Sequence, residues 1–151
     1  MLENEKTIEV LNKLVEINND RIEVYETAAK EINEQDLKIL FSKFVQTSLL
    51  FKQELSNEIY KLGGIPTEAT KHTGKFVCEW MDVKASLAAN DFKAIISTCK
   101  YAEKQAINVY KNVLTEDLQH LRLSQQSMIR NQLSLIKSGR STVKIMRHVL
   151  V

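Results

Sequence analysis

The stretch from Asp36 to Pro66 most constrains the fold. It places Leu37, Phe41, Phe44, Ser48, Phe51, Leu55, Glu58 and Leu62 at alternating steps of three and four, which is one stripe of a long helix. The stripe runs into Leu62-Gly63-Gly64-Ile65-Pro66. There the glycines can take positive φ, and Pro66 forbids a helix from continuing. No other stop in the chain is as strong, and the halves on either side of it each read as a pair of helices.

Helix one is expected from about Lys6 to Ile32, capped by Asn4 or Thr7. Its stripe is Ile8, Leu11, Val15, Asn18, Ile22, Tyr25, Ala29 and Ile32. The link Asn33-Glu34-Gln35-Asp36 is short, so helices one and two are antiparallel neighbours, with Asp36 as the second cap. Beyond Pro66 lie a polar connector and a shorter amphipathic piece with Phe76, Val77, Trp80, Val83 and Leu87. A third long helix, capped at Asn90-Asp91, runs to about Leu114 with Ile96, Cys99, Glu103, Ala106, Tyr110 and Val113 inward. Helix four is expected from about Glu116 to Arg147 on the stripe Leu118, Leu121, Gln125, Met128, Gln132, Leu135, Gly139, Val143 and Met146.

The connection between helices two and three is much longer than the others. This pattern implies an all-α, ferritin-like four-helix bundle: two helical hairpins joined by a long crossover that contains a short extra helix. The chain of 151 residues, with only four Gly and one Pro, reads as a single domain with a core and without the turns of a β-rich fold. No apolar run approaches the ~20 residues of a membrane span, and the start Met1-Leu2-Glu3-Asn4-Glu5-Lys6 is no secretory signal. The expectation is a cytoplasmic protein in which Cys78 and Cys99 are reduced, buried thiols. With 21 basic and 19 acidic residues, the balanced charge argues against nucleic acid or acidic lipid as a partner.

Chemistry is sought where polar residues interrupt apolar stripes: Asn18, Ser48, Glu58, Glu103, Gln125 and Gln132. Left unpaired inside a bundle, such groups cost about 1–3 kcal/mol each, so they must meet one another or an ion. Di-iron bundles use one Glu from each of two helices and Glu-x-x-His on each of the other two. Here helix two offers Glu54-x-x-Asn57 and Glu58-x-x-Lys61, and helix four has no glutamate in its middle. The histidines are His72, His120 and His148, with Asp117-x-x-His120 at the start of a helix. Glu103 is therefore read as a glutamate hydrogen-bonded to a neighbouring helix or to water, and Asn18, Gln125 and Gln132 as core amides that set register. Lys137, Arg140, Lys144 and Arg147 read as a solvated basic face suited to a helix C-terminus. No Ser-His-Asp pattern, phosphate loop or zinc spacing points to a hydrolase or a nucleotide enzyme.

Several segments carry a resemblance. They are Leu11 to Glu16 leading to Tyr25, Phe51 to Leu55 running into Leu62-Gly63-Gly64-Ile65-Pro66, Gly74 to Lys84 with Trp80 and Asp82, and Ala102-Glu103 with Ala106 and Tyr110. Up to about Leu114 the chain resembles a family of small bacterial ferritin-like proteins, a domain of unknown function. The resemblance implies a four-helix ferritin-like bundle, possible dimerisation, and distant kinship to rubrerythrins and bacterioferritins, with no activity attached. Near Arg140 the family's fourth helix usually carries a histidine, whereas a guanidinium cannot be a ligand.

Two main readings follow. One is a non-enzymatic structural or interaction protein, stress-associated by its kinship, with a second copy as a candidate partner in a homodimer and without a cofactor. The alternative is a degenerate iron or manganese site held by Glu23, Glu54, Glu58 and Glu103. A third is a scaffold that takes a partner helix or a small apolar ligand between its helices.

Overall fold

Helix α1 spans Leu2–Glu31, α2 Gln35–Lys61, α3 Phe92–Glu116 and α4 Leu123–Leu150, with a 3-10 turn at Leu118–His120 before α4. This computed structural model describes residues 2–70, 85, 89 and 91–150. The expected short helix of the crossover, with Trp80 and Cys78, lies outside the described residues, as does His72. Among the described residues the chain is all-α, with no strand.

The stop after α2 works as its sequence suggests. Gly63 has φ +84°, and its N–H donates to Tyr60 O at 3.0 Å while that of Gly64 donates to Ile59 O at 3.0 Å. This pair of bonds is the Schellman motif, which only a residue tolerant of positive φ completes cheaply. The start of α2 differs from expectation. Glu34, not Asp36, caps it by accepting from Leu37 N at 2.7 Å, and Asp36 lies inside the first turn, where its charge suits the helix dipole. Helix α1 begins before both expected caps. Thr7 sits inside it, and its hydroxyl meets the carbonyls of Glu3 and His120. Asp91 does cap α3, accepting from Ala94 N at 3.1 Å.

Helix four begins later than the acidic pair Glu116-Asp117 suggests. Helix α3 continues through Glu116, the chain makes the 3-10 turn, and α4 starts at Leu123. Gln125 reaches back to accept from Arg122 N at 2.9 Å, the returning half of a capping box. On this last stretch the expected Leu121, Gln125, Gln132 and Val143 are buried, but Ile129 and Ile136 take the inward places expected of Met128 and Leu135, and Leu135 is exposed. Every member of the expected α3 stripe, and of the α2 stripe from Leu37 through Leu55, is buried.

Helix α1 packs on α2, α3 on α4, α1 on α3 and α2 on α4. Cross-helix pairs give the directions. Asn18 meets Tyr110 while Arg21 meets Glu103, so α1 and α3 are antiparallel. Glu58 meets Gln125 while Glu54 meets Gln132, so α2 and α4 are antiparallel too. With α1 and α2 joined by a short link, α2 and α3 run in the same direction. The end of α2 and the start of α3 therefore lie at opposite ends of the bundle, about 40 Å apart by the length of the 27 residues of α2.

Candidate functional site: a polar layer across the core

The apolar core is divided in two. One cluster gathers Leu11, Leu14, Ile17, Phe51, Leu55, Ala106, Tyr110, Ile129 and Ile136. The other gathers Val24, Tyr25, Phe41, Phe44, Ile95, Cys99 and Val143. Between Ile17 and Val24, between Phe44 and Phe51, and between Cys99 and Ala106 stand Arg21, Ser48 and Glu103, each buried.

Arg21 holds Glu103 in a bidentate grip, with Nε donating to Oε2 at 2.9 Å and Nη2 to Oε1 at 2.8 Å. Its Nη1 donates to Ser48 Oγ at 2.8 Å, and that hydroxyl donates to Phe44 O at 2.7 Å. The guanidinium also lies 5.9 Å from the ring centres of Tyr25 and Phe44. Burial works against its charge, but the facing Glu103 charge and its hydrogen bonds more than offset this and hold Arg21 above its ordinary value. The same burial, followed by the negative charge of Glu103, pushes Tyr25 and the Cys99 thiol up, so both stay protonated. Cys99 is thus an inert core thiol.

One turn away, a hydrogen-bonded chain crosses all four helices. Asn18 Nδ2 donates to the Tyr110 hydroxyl at 2.8 Å, which donates to Gln132 Oε1 at 2.6 Å. Gln132 Nε2 in turn donates to Glu54 Oε1 at 3.1 Å. Asn18 and Gln132 are buried core amides, as the sequence suggested, and each bonds to another helix, while Gln125 spends its oxygen on capping α4.

The four candidate carboxylates do not form one ligand set among the described residues. Glu103 is buried with both oxygens taken by Arg21. Glu54 and Glu58, one turn apart and half-buried, meet Gln132 and Lys61 respectively, and Glu58 also faces Gln125 at 3.4 Å. Glu23 is exposed beside Glu26 and Glu68 on a surface groove. Among the described residues no group of three or more His, Cys, Asp or Glu is placed to share an ion. Asp117 and His120 diverge, Asp117 to Lys13 at 3.2 Å and His120 to Glu3 at 3.3 Å. The central carboxylate, Glu103, faces a fixed cation, Arg21. Arg21 is the residue that stripe reading misses. The stripe accepts the adjacent Ile22, yet Ile22 is half-buried and Arg21 points inward. The available signal is Glu103 itself, since an inward glutamate requires a counter-charge, and Arg21 lies one turn from Asn18.

A family model described as Domain of unknown function (DUF2383) matches residues 6–116. The chain belongs to that family. The DUF2383 match holds Asn18, Arg21, Ser48, Glu103 and Tyr110, whereas Gln132 and Gly139 on α4 lie beyond it. None of the curated proteins compared with the chain matches it. Among the described residues no helix is long and apolar enough to cross a membrane.

Proposed function

We propose that this protein is a ferritin-like bundle with a structural or interaction role, its centre held by an internal ion pair where a di-iron bundle would hold metal. The observation that carries this reading is the bidentate Arg21–Glu103 pair: a guanidinium occupies both oxygens of the most central carboxylate. The parallel course of α2 and α3 supports the ferritin-like kinship. Ile39, Leu49, Leu50 and Tyr60, exposed along α2, supply apolar surface for association with a protein partner or a second copy.

Offering iron and manganese aerobically to the purified chain, followed by elemental analysis, tests this. The expected result is no metal above background, with no change in Glu54→Ala or Glu58→Ala. Near-stoichiometric metal that disappears in Glu103→Gln would overturn the proposal.

A further inference from the structure

On the α2–α4 side the polar layer can be reached. A crevice of about 150 Å³ there is lined by Arg21, with Lys43, Thr47 and Phe44 on α2 and Leu135 and Thr142 on α4. An engineered cavity of about this volume admits benzene, so there is room for a small organic molecule. Gly139 keeps part of that space free: a Cβ there would lie 3.0 Å from Phe44 Cε1 and 3.5 Å from Glu103 Oε1.

The charged side chains that line the crevice are Arg21 and Lys43; Arg21 is balanced by Glu103 behind it, so Lys43 supplies the net positive charge. A guanidinium has five N–H donors. Glu103 takes one from Nε and one from Nη2, and Ser48 takes one from Nη1. One N–H therefore remains on each terminal nitrogen, and a carboxylate oxygen is a suitable acceptor for either. Phe44 and Leu135 add an apolar wall to the same crevice. A phosphate would set unsolvated oxygens against that wall, at a cost. A short acid would set its alkyl end there.

We infer that this crevice binds a short-chain monocarboxylate, its carboxylate between Arg21 and Lys43 and its alkyl end against Phe44 and Leu135. This goes beyond the structural role proposed above and does not depend on it.

The test is titration of the isotope-labelled full chain with sodium propionate, at ionic strength held constant with sodium chloride, followed by amide and Arg21 Nε–H resonances. Saturable shifts are expected, centred on Thr47, Gly139, Thr142 and the Arg21 Nε–H. Lys43 is exposed, so Lys43→Glu retains the fold and weakens binding at least about tenfold, because an attraction becomes a repulsion. Thr142→Leu, also at an exposed position, crowds the mouth and has the same direction of effect. Shifts that chloride reproduces, an adventitious ion only, would overturn the inference. So would phosphate binding as tightly as propionate, or saturable shifts that lie elsewhere on the protein.

Discussion

Arg21 and Glu103 face each other through two charge-assisted hydrogen bonds of 2.9 and 2.8 Å, with side chains 3% and 0% exposed. Such a pair joins α1 to α3 without adding much net stability, because desolvation of two charges offsets most of their attraction. Its value lies in specificity: with Ser48 as third partner, a slip of α1 against α2 or α3 leaves a charge unpaired in the core.

Single and double substitutions therefore behave differently. Arg21→Met alone strands Glu103 and is expected to cost about 3–5 kcal/mol, as is Glu103→Leu alone. The double variant Arg21→Met/Glu103→Leu is expected to recover most of that loss. Chemical denaturation of the three variants measures the coupling, and a double variant as unstable as the sum of the singles would contradict this account.

The Tyr110 hydroxyl both accepts from Asn18 and donates to Gln132. Tyr110→Phe leaves a buried amide hydrogen and a buried amide oxygen without partners while preserving the ring. The expected loss is about 1–3 kcal/mol, larger than that of one ordinary hydrogen bond. Urea unfolding with an unchanged slope would locate the effect in the folded state.

Much of the fold was legible because apolar spacing and helix punctuation are local. The run from Leu37 to Leu55 and the Schellman stop at Gly63-Gly64 needed no partner to be recognised. In α4, by contrast, Leu135 and Ile136 are adjacent, and steps of three or four accept either. Packing against α2 and α3, which lies outside any local window, selects Ile136. The polar layer shows the same division. Asn18, Ser48, Glu103 and Gln132 announced themselves as interruptions, but Arg21 hid beside the apolar Ile22, since its inward course is set by Glu103 some 82 positions away.

High pH is expected to destabilise the protein through buried groups. Tyr25, Tyr110 and Cys99 have folded-state values raised above their unfolded ones, burial being the first cause for each. A group of this kind contributes fully below its unfolded value and loses that contribution as pH rises through the window above it. Unfolded thiols and phenols titrate near ~8.5 and ~10. The melting temperature should therefore fall progressively above about pH 9, with tyrosinate absorbance from Tyr25 and Tyr110 rising only as the chain unfolds. Tyr110→Phe removes one of the three groups and should make the alkaline decline shallower.

Gly63 provides a last test of the stop that organises the chain. At φ +84° it has no atom within 4 Å of where a Cβ would sit, so any penalty on substitution is conformational and not steric crowding. Gly63→Ala places an L side chain in the left-handed region, at about 1–2 kcal/mol. Asn visits that region more readily and should cost less, while the β-branched Val should cost more. At Gly64 the order has another origin, because a Cβ there would meet Ile8 Cδ1 at 2.9 Å and Ile59 Cγ2 at 3.0 Å. Gly64→Ala presses on the Ile8 side chain and on the branch methyl of buried Ile59, and loss of Ile8 Cδ1 in Ile8→Val relieves part of this, whereas Gly63→Ala gains nothing from that change. Thermal unfolding of the two pairs separates strain from crowding. Rescue of Gly63→Ala by Ile8→Val would show that the backbone argument is wrong.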